Sequence, residues 1–115
     1  MDVGKWKDKL TAEFWGWGAF NSYPRHPAPY CDVLDHIKPM GMTDPSAMHL
    51  LNLAVQCLEG DECYLEVGTW RGSTFIGALL GNDGVGYAID NDTMDEHDKD
   101  TRSSQACWHE NVAHY

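Results

Sequence analysis

No run in this chain approaches the roughly twenty consecutive apolar residues that a membrane-crossing helix needs. Its opening residues, charged and rich in tryptophan, also lack the apolar core of a secretory signal. A cytoplasmic protein is expected on those grounds. Basic residues are scarce: eight Lys and Arg stand against eighteen Asp and Glu, a formal charge of −10. Phosphate backbones are bound by clustered Lys and Arg that release counterions, so this balance argues against nucleic acid as a partner. The four cysteines, Cys31, Cys57, Cys63 and Cys107, form no C-x-x-C pair and the six histidines are scattered, so no metal is expected and the thiols read as reduced. Cys57 and Cys63 read as small apolar fillers at a helix end and in a strand. No Gly-Lys-Ser or Gly-Lys-Thr is present, which excludes a phosphate-gripping loop. The acidic stretch 90–100 fails as a calcium loop. In that register Met94 takes the fifth position, Asp95 replaces the turn glycine, and Thr101 replaces the bidentate glutamate.

What is present suits one small domain. The chain has 115 residues, and its apolar content of 43% with 11% aromatics is that of a folding sequence. Asp44 and Pro45 make a helix start, as N-cap and first helical residue. Ala47, Leu50, Leu51, Ala54 and Leu58 recur at helical spacing, and Gly60 can close the helix, which predicts a core helix over 45–58. Upstream, Trp6, Leu10, Phe14 and Trp17 suit an amphipathic helix, whereas Pro24, Pro27 and Pro29 make a loop. Trp15-Gly16-Trp17 and Tyr23 are read as covering a core, meeting another subunit, or closing over a ligand, with the first two favoured. A boundary near residue 40 divides an aromatic N-terminal extension, 1–40, from an α/β unit, 41–115.

The densest information lies in Leu65 to Thr74. A short apolar strand runs into an acid, Glu66, then into two glycines four residues apart, Gly68 and Gly72, and then into a helix. Gly68 lets the chain leave the strand through angles that a Cβ forbids, and Gly72 lets the turn lie close against a ligand or helix. The amides of Ser73 and Thr74 open that helix. About twenty residues after the first acid, Val85-Gly86-Tyr87-Ala88-Ile89 ends in Asp90, where a dinucleotide fold carries its ribose-binding acid. Strands are expected over 63–67 and 85–89 and a helix over 73–80, with parallel strands joined through Asn82-Asp83-Gly84. The dinucleotide fingerprint G-x-G-x-x-G is broken, because Trp70 stands two residues after Gly68.

These residues resemble the class I S-adenosylmethionine-dependent methyltransferases. Glu66-Val67-Gly68-Thr69-Trp70-Arg71-Gly72 is similar to that family's first motif, and Ala88-Ile89-Asp90 to its second. Cys107 to Tyr115 is more weakly similar to the helix before the family's third strand. The resemblance covers about 61–115. It implies an α/β, Rossmann-like three-layer fold of which the first βαβ unit and flanking helices are present. It also implies S-adenosylmethionine as cofactor, with Glu66, Gly68, Thr69, Trp70, Gly72, Ser73, Asp90 and Asn91 around it, and less surely Asp92. In that family the turn holds the methionine portion and the acid after the second strand bonds the ribose. Methyl transfer to a small-molecule or protein acceptor is the implied activity. A non-catalytic cofactor-binding or interaction module is the alternative, and a nicotinamide-binding fragment ranks below it. Because two parallel strands cannot cover their own faces and edges, the chain reads as truncated and as prone to self-association.

Overall fold

The computed structural model describes residues 1–14, 28–37, 43–91 and 104–115. In chain order the elements are α1 (Val3–Glu13), α2 (Ala28–His36), α3 (Pro45–Val55), β1 (Tyr64–Val67), α4 (Ser73–Leu79), β2 (Gly86–Ile89) and α5 (Ser104–His114). The expected α/β class and parallel pairing are both present. Tyr64 lies beside Gly86, Leu65 beside Tyr87, Glu66 beside Ala88 and Val67 beside Ile89.

Asp44 caps α3 as expected, its carboxylate accepting from Ser46 N at 2.7 Å and Ala47 N at 3.1 Å, with Pro45 at the first helical position. The helix stops at Val55 rather than at 58. Cys57 N and Leu58 N bond carbonyls three residues back, tightening the chain out of the α-helix. Gly60, with φ +59°, belongs to the turn that follows.

The inner face of α3 also differs from the expectation. Ala47, Leu50, Leu51, Ala54 and Leu58 are only partly buried, whereas Met48, Asn52, Leu53 and Val55 are buried. The position of α4 explains the rotation. A Cβ on Gly77 would lie 2.7 Å from the Met48 side chain, so the glycine lets the two helices meet at Met48. One turn on, Asn52 Nδ2 donates to the carbonyls of Gly77, Ala78 and Leu80 at 3.0, 3.1 and 2.9 Å. Those are carbonyls that the end of a helix leaves without internal donors.

The helices cover one face of the sheet. Tyr64 stacks obliquely on Phe75 of α4, and a Cβ on Gly86 would lie within 3 Å of Leu79 and Phe75. The opposite face carries Leu65, Val67, Tyr87 and Ile89, each more than half exposed. The three-layer arrangement is therefore two layers among the described residues. The core draws on both sides of residue 40, with Tyr30, Val33 and Ile37 of the α2 region packing with Met48 and Ile76.

The first helix, α1, buries none of its own residues, and Phe14 just beyond it does. It is tied to the end of α3 by Asp2 N to Cys57 O at 2.9 Å and by Lys9 Nζ to Gln56 Oε1 at 2.7 Å. All four cysteines are free thiols. Cys57 is buried at a helix end as expected, but Cys63 is exposed ahead of β1 and fills nothing. Among the described residues no helix is long and apolar enough to cross a membrane.

Candidate functional site

The turn from β1 to α4 is the most constrained backbone in the described chain. Gly68 has φ +83°, the left-handed backbone expected of it, and Gly72, expected only to allow a close approach, has φ +88° as well. At Gly72 the close neighbour is a helix: a Cβ there would lie 3.1 Å from Trp108 Cδ1 of α5. Between them Trp70 has φ +44°, a region that a bulky L-residue enters at a cost of about 1–3 kcal/mol. Its amide is held in that conformation by Asp90, whose Oδ2 accepts from Trp70 N at 2.6 Å. The acid after the second strand thus anchors the turn after the first.

Glu66 lies on the helix-covered face, nine-tenths buried. Its Oε2 accepts from Tyr64 Oη at 2.5 Å and its Oε1 from Thr74 Oγ1 at 2.8 Å. This joins strand to helix across the turn. Burial first, then the Glu66 hydrogen bond and charge, push the Tyr64 phenol well above its ordinary value.

A cleft of about 350 Å³ opens at the carboxyl ends of the two strands, lined by Thr69, Trp70, Ala88, Ile89, Asp90, Gln105, Trp108 and His109. Of the residues expected around a cofactor, the fold brings Thr69, Trp70 and Asp90 together on this cleft. Gly68 and Gly72 shape its turn, Glu66 and Ser73 lie behind it, and Asn91 is exposed beside Asp90 without lining it. Asp92, the acidic stretch beyond it, and the aromatic segment with Trp15, Trp17 and Tyr23 lie outside the described residues.

The α5 wall was not singled out as a site from the sequence. Gln105, Trp108 and His109 reach the cleft because α5 docks on the turn, with Trp108 against Phe75 at 6.0 Å between ring centroids and Asn111 Nδ2 donating to Arg71 O at 2.9 Å. The signal was an aromatic at helical spacing ahead of an asparagine, which linear pattern cannot assign to a distant turn. Arg71 is fully buried, its guanidinium carbon 5.0 Å from the Trp70 ring centroid.

Several buried polar atoms here have no hydrogen-bond partner among the described residues: Thr69 Oγ1, Trp70 Nε1, Ser73 Oγ and Trp108 Nε1. Native proteins pair most such atoms. No protein-family model, curated protein or solved structure matches the chain.

Proposed function

We propose that the chain is the cofactor-binding part of an S-adenosylmethionine-dependent methyltransferase. One arrangement supports this function above the others: Asp90, at the carboxyl end of β2, closes on the Gly68–Gly72 turn at the rim of a cleft of about 350 Å³. Small-molecule sites occupy about 300–1,000 Å³, and open parallel sheets take ligands at their strand carboxyl ends. The lining fits the cofactor: Asp90 offers acceptor capacity to ribose hydroxyls, and the rings of Trp70, Trp108 and His109 offer flat surfaces. Among the described lining residues there is no Lys or Arg, and Asp90 is acidic, which disfavours a pyrophosphate. Trp70 also fills the place where a dinucleotide turn requires glycine.

When bound, the cofactor supplies an electrophilic methyl group on a sulfonium. The chain's own residues orient it: Asp90 fixes both the turn and the ribose, and the apolar rings exclude water from one side. In-line methyl transfer depends mainly on such positioning. The methyl acceptor is drawn from small molecules or proteins.

Calorimetric titration tests the assignment. S-Adenosylhomocysteine should bind more tightly than NAD, and Asp90→Ala should weaken it by about 1.5–3 kcal/mol through lost charge-assisted bonds. Tighter binding of NAD would reverse the proposal.

A further inference from the structure

The two indoles of the cleft keep their N–H groups out of it. Trp70 and Trp108 are half-buried lining residues, yet Nε1 of each is sealed from solvent. In Trp108 the pyrrole side is turned to the turn, since a Cβ on Gly72 would meet its Cδ1 and Nε1 at 3.1 and 3.3 Å. What the indoles show a ligand is therefore ring carbon. Ala88 and Ile89 continue that surface. Asp90 is the one acidic residue among the described lining residues, and no Lys or Arg joins it. Arg71 stands off the cleft, 1% exposed, with its guanidinium carbon 5.0 Å from the Trp70 ring centroid. The formal charge of −10 adds a field of the same sign as Asp90.

Aromatic carbon beside a carboxylate suits a weakly hydrated organic cation, which the negative face of a ring attracts without a hydrogen bond. We infer that the cleft selects the positive charge of its ligand, the Trp70 and Trp108 rings and Asp90 together holding a sulfonium more tightly than the uncharged thioether that methyl transfer leaves behind. This rests on the methyltransferase reading and adds to it a preference between cofactor and product. In S-adenosylmethionine the sulfur is one methylene from the ribose ring, so a carboxylate bonded to the ribose hydroxyls also acts on the sulfonium. Loss of the methyl group removes that attraction, which favours release of the product.

The test isolates the charge. Calorimetry on the full chain at about pH 8, above the ordinary titration range of an imidazole such as His109, compares 5′-deoxy-5′-dimethylsulfonioadenosine with 5′-deoxy-5′-isopropyladenosine. The two have the same shape, and a neutral C–H replaces the sulfonium in the second. Burial of apolar surface alone would favour the isopropyl compound. The sulfonium should nevertheless bind about threefold to tenfold more tightly, and added salt should weaken it while leaving the neutral compound unchanged. Asp90→Asn, whose amide oxygen can still accept from Trp70 N, and Trp108→Leu, which removes the ring, should each shrink the preference. Thermal melting establishes which variants are folded, and the salt dependence of wild type reads the charge without any substitution.

Equal or tighter binding of the isopropyl compound by wild type overturns the inference, as does a preference that salt or a folded variant leaves unchanged. S-Adenosylhomocysteine titrated alongside separates the two failures: if it binds, the cofactor assignment stands. A folded wild-type chain that binds none of these nucleosides overturns the methyltransferase reading and this inference with it.

Discussion

At the scale of single residues, Glu66 acts on the protein itself. Both of its oxygens are engaged, one by Tyr64 of its own strand and one by Thr74 of the following helix. Its carboxylate therefore fixes the angle at which β1 enters α4, and the turn that Asp90 anchors follows from that angle. The arrangement carries a pH signature. Tyr64 is held protonated in the folded chain by burial, then by the Glu66 hydrogen bond and charge, and Tyr30 is raised likewise by burial and then by Glu13. In the unfolded chain these phenols ionise near pH 10. A raised folded value means that the stabilisation is complete below that point and is lost as pH rises beyond it. Denaturant midpoints should accordingly hold up to about pH 10 and fall progressively as pH rises above it, and Tyr64→Phe should flatten part of that fall. The same variant should lose about 1–2 kcal/mol at neutral pH, because Glu66 gives up a charge-assisted bond. An alkaline slope as steep in Tyr64→Phe as in wild type would contradict the assignment.

At the scale of elements, the local features were legible in the sequence and the packing was not. The Asp44 cap, Pro45, the left-handed Gly68 and the two parallel strands are where the sequence placed them. The inner face of α3 was misread because apolar spacing alone cannot say where the next helix lies. Once Gly77 brings α4 onto Met48, the polar Asn52 is turned inward, where linear pattern would keep it outside. For the same reason the α5 wall stayed hidden: no spacing links Trp108 to Gly72. Asn52 offers the clearest test of this packing. Asn52→Ala should remove the donor to three carbonyls at the end of α4 and lower stability by about 2–3 kcal/mol in urea denaturation. Leu50→Ala, at a half-buried position, should cost less. A milder effect at Asn52 than at Leu50 would show that the apolar stripe, and not the amide, holds α3 to α4.

At the scale of the whole molecule, the decisive fact is a sheet that the described residues cover on one side only. Tyr64, Glu66 and Gly86 meet α4, whereas Leu65, Val67, Tyr87 and Ile89 are 56%, 75%, 59% and 56% exposed. Parallel sheets are ordinarily covered on both faces, and a contiguous apolar patch on a folded chain favours association. The formal charge of −10 opposes the approach of a second copy, and salt screens that repulsion. The two effects predict a specific dependence: the mass measured by light scattering should rise with protein concentration, and more steeply at high ionic strength. Replacing Val67 and Tyr87 by Lys places charges on the open face without disturbing the buried one. Because both side chains already face solvent, the change in stability should stay within about 0.5 kcal/mol, while association is suppressed at every salt concentration. A wild-type chain that keeps the mass of one copy across those conditions would show that its net charge outweighs the apolar face, and the double variant would then have nothing to correct.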